Sequence, residues 1–205
     1  MKLIGNKRSD LVATPSDPRC VAIIEKHGDI LKFNSRWCPA NLWKIAENVD
    51  RSVEAEIPSL IMLMKSYGKE AIMDNLNMHL LAVVNIMGIN KEDFTVQDIR
   101  MIAQLITECE AVRTLNYAFL LTFFAKLAQG EYQIYGGKPY QFMAALQQYA
   151  KDAKARQAQL QDKAEKERKK RSEQEAAKEA ITFEEYAKAH GITEKSLLEY
   201  LQNKG

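Results

Sequence analysis

After Tyr149 the chain stops supplying the material of a core. From Lys151 to Ala180 one large apolar residue, Leu160, stands among Lys, Arg, Glu, Gln and Ala. A folded body must therefore come from the residues before it, which are numerous enough to bury a real core. Large apolar side chains return only in the segment ITFEEYAKAHGITEKSLLEYLQ. Three regions follow from this: a helical body at 1–150, a charged spacer at 151–180 and a small end module at 181–205.

Within the body, apolar residues recur at helical spacing and punctuation residues divide them. Asp17, Pro18 and Gly28 predict a helix over 18–27, with a capping aspartate, a proline at the first position and a glycine stop. A second helix is expected over 40–49. A third starts near Pro58, carries Leu60, Ile61, Leu63 and Met64, and ends at Gly68. Ile72, Leu76, His79, Leu80, Val83, Val84 and Met87 mark one face of a helix over 69–87, on which His79 reads as a core residue. Thr95 opens the next helix, with Asp98 placing negative charge at its positive end. Ile99, Ile102, Ala103, Leu105 and Ile106 line that helix. Thr114 is the expected cap of a helix through Leu127, stopped by Gly130. Its segment YAFLLTFFAKL is apolar nearly all round, the mark of a central, buried helix. Strand signals are weak throughout, so the fold class is all-α.

After the turn GEYQIYGGKPY, Pro139 opens a last helix. Phe142, Leu146 and Tyr149 are expected to pack on the body. The spacer is expected to continue this helix to Ala180, because strong helix formers fill it and neither Gly nor Pro interrupts; the alternative is a frayed or disordered linker. Asp162–Lys166, Glu165–Lys169 and Glu167–Arg171 are favourably oriented i,i+4 pairs. A helix from Pro139 to Ala180 measures roughly 60 Å at its ideal rise. No sustained apolar heptad marks a coiled coil. In the end module, Thr182 and Glu185 form a capping box. Gly191 and Thr193 then divide a helical hairpin.

Charge and cysteine content narrow the function classes. A net charge of +2 argues against a protein that coats nucleic acid by bulk electrostatics. Three cysteines, Cys20, Cys38 and Cys109, form no paired framework, which points to a reducing compartment. No signal-peptide core follows Met1, and no apolar run reaches the ~20 residues of a membrane span. A cytoplasmic location without membrane contact is expected. Cys20, His27 and Cys38 match no structural-zinc spacing. Gly136-Gly137-Lys138-Pro139 lacks the phosphate-loop frame. No catalytic, metal or cofactor constellation emerges, and the expectation is a non-enzyme without a cofactor.

Three candidate surfaces remain. Tyr132, Tyr135 and Tyr140, with Lys126 and Lys138, can anchor a partner or stack on bases; equally, they can close the turn and seal the core. Lys166, Arg168, Lys169, Lys170 and Arg171 form a basic run that can contact phosphates, although the surrounding glutamates also suit a solvated helix face. Phe183, Tyr186, Leu197, Leu198 and Leu201 are too few to fold alone and must find another surface. The end module resembles a DNA-binding helix-turn-helix over some twenty residues. Its second helix offers Glu194, Lys195, Ser196 and Glu199, without an arginine to read guanine. Protein docking suits it better.

The stretch from Ser59 to about Ala155 also resembles an uncharacterised helical family common in Bacteroidota genomes, phages and mobile elements. Tyr67-Gly68, the helix beginning at Val96, and Phe123-Phe124 followed by Gly130-x-Tyr132-x-x-Tyr135-Gly136 carry the resemblance. It implies a helical fold and a mobile-element setting, and no activity. The expected role is an adaptor of phage or mobile-element DNA metabolism, such as a replication accessory or a helicase-loader-like protein. Body and end module would each hold a protein partner, with nucleic acid engaged indirectly. The alternative is a structural or assembly protein that forms homo-oligomers through its helices.

Overall fold

A computed structural model describes residues 17–90, 94–132, 134, 138–179, 185 and 188–190. Regular structure among them is helical, apart from an isolated antiparallel bridge between Ser59 and Asn116. The all-α expectation holds. None of these helices is long and apolar enough to cross a membrane. The chain divides into two units, Met1–Gln161 and Asp162–Gly205. Tyr135, the Thr182 capping box and the end-module residues Phe183, Tyr186, Leu197, Leu198 and Leu201 lie outside the described residues.

Helix α1 spans Pro18–His27. The Asp17 carboxylate accepts from the Arg19 amide at 2.9 Å, and Gly28 ends the helix at φ +82°. A side chain there would meet both a strained backbone and Lys32. Asp29 then caps α2, Ile30–Arg36, a helix that the periodicity did not predict. The helix expected over 40–49 is broken. Pro39–Asn41 form a 3-10 turn, α3 covers Leu42–Glu47, and α4 covers Arg51–Glu54. Near the end of α3 the Asn48 amide donates to the Lys44 carbonyl at 2.9 Å, a local side-chain bond that competes with helix continuation.

Helix α5, Leu60–Tyr67, leads through Gly68 into α6, Lys69–Ile86. Helix α7, Val96–Glu108, starts at the predicted cap: Thr95 Oγ1 accepts from the Asp98 amide, and the Asp98 carboxylate accepts from the Thr95 amide at 2.8 Å. A short α8, Glu110–Arg113, precedes the central helix α9, Tyr117–Ala128. The cap of α9 is Asn116 rather than Thr114. The Leu60 amide donates to Leu115 O at 3.2 Å and the Tyr117 amide to Pro58 O at 3.0 Å. These bonds hold the chain extended at Asn116, so a helix cannot run through from Thr114.

Helix α9 packs on α3 and α6, α6 packs on α7, and α1 packs on α5. Phe119, Leu120, Leu121, Phe123, Phe124 and Ala125 are all buried, as an all-apolar helix requires. Helix α10 spans Pro139–Glu179. Its Phe142, Leu146, Tyr149, Ala150 and Ala153 form a buried stripe, and the Tyr149 hydroxyl donates to Phe119 O at 2.8 Å. Packing carries the first unit beyond position 150. Leu160 rests against the core, Arg156 pairs with Asp50 at 2.7 Å, and Gln157 Oε1 accepts from the Asn116 amide at 3.1 Å.

Candidate functional site

Helix α7 presents two apolar stripes. Ile99, Ile102, Ala103 and Ile106 face the core and are buried. Met101 and Leu105, one turn apart, lie on the other stripe and remain 45% and 37% exposed. Leu105 therefore leaves the core face on which the sequence placed it. Its spacing from Met101 was a legible signal for this second stripe. Opposite them, the first turns of α10 bring Tyr140, 65% exposed, together with Met143. Between the helices lies a groove of about 770 Å³, with Cys109 and Glu108 at the end of α7. Pro139 fixes where α10 begins and so where Tyr140 stands.

The turn residues predicted as one surface separate in the structure. The Tyr132 ring is half-buried, with its centroid 5.3 Å from that of Phe123 and 6.4 Å from that of Tyr149. The Lys126 ammonium pairs with Glu131 at 2.5 Å. Of these side chains, Tyr140 alone among the described ones lines the groove, while Lys138 is exposed one residue before α10. Phe142, within the same segment, belongs to the core and meets Phe123 edge-on at 5.4 Å.

One carboxylate, Glu108, lines the groove, and others lie beyond Met101. Hydrogen bonds from Gln104 at 3.1 Å and the Lys69 ammonium at 3.2 Å hold the Glu108 carboxyl below the usual carboxylate range. On the far side of Met101, a depression between α6 and α7 is lined by Glu70, Asp74 and Asp98 against one cation, Arg100. The bonds that Asp98 accepts in the capping box likewise hold its pKa low. An apolar strip with an acidic margin suits a helix whose apolar face is flanked by Lys or Arg.

The basic run Lys166, Arg168, Lys169, Lys170 and Arg171 is exposed on α10. Cys20, Cys38 and Cys109 are free thiols, Cys20 being buried.

A second polar constellation lies inside the body. The Asn75 amide donates to Asn34 Oδ1 at 2.8 Å and to Trp37 O at 3.2 Å, and the Tyr117 hydroxyl donates to Asn75 Oδ1. His79 Nε2–H donates to Trp37 O at 2.8 Å, and its ring stacks near Phe124. Burial outweighs that bond and pushes the His79 pKa down to about 4. These bonds fasten α2 to α6 and α9. Asn75 escaped the sequence reading because it is polar, although it sits one turn before His79. No protein-family model, curated protein or solved structure matches the chain.

Proposed function

We propose that the protein is a non-enzymatic adaptor. Its body takes an amphipathic helix of a partner protein into the groove between α7 and α10, and its C-terminal segment carries a second protein contact. Met101, Leu105 and Tyr140 support this reading, because they leave apolar surface open side by side in one groove, beside carboxylates. Contiguous exposed apolar surface of this kind marks interaction sites. Tethering two contacts on one chain raises the effective concentration at the second. The setting in phage or mobile-element DNA metabolism rests on the resemblance over 59–155.

Capture of partners from the native host by the full chain tests the adaptor. The expected result is a protein with a basic amphipathic helix, retained by the wild type and lost by Leu105→Asp. Retention of every partner by that variant would remove the groove from the function. Light scattering separates the assembly reading: a large ring or filament formed by the chain alone would replace the adaptor with a structural role.

A further inference from the structure

Five cations of the body pair with carboxylates: Arg19 with Asp17, Lys69 with Glu108, Arg113 with Glu110, Lys126 with Glu131 and Arg156 with Asp50. Arg36, Lys44 and Arg51 do not, and they are gathered at one place. They line one cavity of about 380 Å³, among the ends of α2, α3 and α4 and the flank of α9. No carboxylate belongs to its lining, and none of the three forms an ion pair among the described residues. The cavity also takes in Trp37, Ile45, Ile57 and Ala118. Three unneutralised positive charges over a low-dielectric surface concentrate a field that draws anions.

Trp37 supplies an independent sign. It is 5% exposed, and its indole Nε1–H is buried without an acceptor. A buried indole N–H ordinarily finds a partner. The residue is also held firmly, since its carbonyl accepts from both His79 and Asn75. The chain segments carrying two of the cations are pinned as well. The Asn41 amide donates to Arg36 O at 2.9 Å, and the Asn48 amide donates to Lys44 O at 2.9 Å. A fixed donor and fixed backbone are what a preorganised site offers.

We propose that this cavity binds a small organic anion: an apolar, ring-sized body bearing a carboxylate or a phosphate. The anionic group meets Arg36, Lys44 and Arg51, and the body lies against Trp37, Ile45 and Ile57. The volume falls within the range of small-molecule sites, and three cations around a concavity give no extended track for a nucleic-acid backbone.

The test titrates the full chain with 1-naphthyl phosphate, 1-naphthoate, 1-naphthol and inorganic phosphate. Two tryptophans give two indole N–H signals, and Trp43→Phe assigns that of Trp37. The expected result is a saturable shift of the Trp37 signal by at least one naphthyl anion. That anion should bind about tenfold or more tighter than naphthol and than inorganic phosphate. Comparing the phosphate with the carboxylate tells which anionic group the site prefers. The variant Lys44→Gln/Arg51→Gln changes only exposed side chains and should keep the unliganded melting temperature while losing about tenfold in affinity. Equal binding of naphthol, equal binding by the variant, or no shift with either anion would overturn the proposal. Inorganic phosphate binding as tightly as the naphthyl anions would overturn the role of the apolar surface.

Discussion

Phe123 and Tyr140 come from one aromatic stretch of sequence, yet they belong to different regions. The core around α9 is dry. Phe123 meets Tyr132, Phe142 and Tyr149 at 5.3–5.4 Å and has no exposed surface. The groove between α7 and α10 is also lined mainly by apolar residues but is open to water at Met101, Leu105 and Tyr140. The contrast teaches that residue type does not tell a folding surface from a binding one. The neighbouring helices decide: α9 is covered by α3 and α6, whereas among the described residues Met101 and Leu105 on the outer stripe of α7 stay partly open to water.

The core side of this contrast carries the larger effects. Phe123→Ala should cost about 3–5 kcal/mol, because it opens a cavity among rings that cannot all collapse into it. Chemical denaturation measures the loss. A value near zero would place Phe123 with Tyr140 and erase the distinction.

Acid should reveal the same interior. His79 is neutral in the fold, with its pKa pushed to about 4 against an ordinary 6.5. The unfolded chain therefore binds more protons between those values. Stability from this group is complete above pH 6.5 and is lost as the pH falls toward 4, by roughly 3 kcal/mol. The buried His27 ring shifts in the same direction through desolvation and the nearby Arg36 and Lys26 charges. His79→Gln should flatten the fall in stability between pH 6.5 and 4, measured by denaturation at each pH.

Tyr117→Phe should follow, at about 1–3 kcal/mol, since it leaves Asn75 Oδ1 buried without its donor. In a double-mutant cycle with Asn75→Leu, the combined loss should fall short of the sum of the two single losses, because the Tyr117–Asn75 bond is counted in both. A single Tyr117→Phe loss that the second substitution deepens additively would mean that the two side chains act separately.

Much of the helical frame was legible in the sequence. Asp17, Pro18 and Gly28 set α1, the Thr95–Asp98 capping box set the start of α7, and Pro139 set the start of α10. These features act locally, within a turn or two. What escaped depends on distant partners. Thr114 looks like a helix cap, but backbone bonds from Leu60 and to Pro58 hold the chain extended at Asn116 and move the cap there. Leu105 looks like a core residue until the positions of α6 and α10 assign the two stripes of α7. Asn75 looks like a surface residue until α2 and α9 bring it Asn34, Trp37 and Tyr117. The site was half legible for the same reason. The aromatic turn was visible, but only tertiary packing could send Tyr132 inward and Tyr140 outward.

The smallest expected stability effects lie in the groove. Tyr140→Ala should shift stability by only about 0.5 kcal/mol, as an exposed position does, and Leu105→Asp, at a position only 37% exposed in mid-helix, by about 1 kcal/mol. The most direct test of the distinction pairs their melting curves with peptide binding. Two fluorescent helical peptides would carry leucines at i, i+4 and i+7, flanked in one by lysines and in the other by glutamates. The account predicts that the lysine peptide binds the full-length wild type and that the glutamate peptide binds far more weakly. Leu105→Asp should weaken the lysine peptide about tenfold or more while the variant still melts cooperatively and stays folded at the temperature of the titration. Binding that ignores the charge of the peptide, or survives Leu105→Asp intact, would contradict the groove as the docking surface.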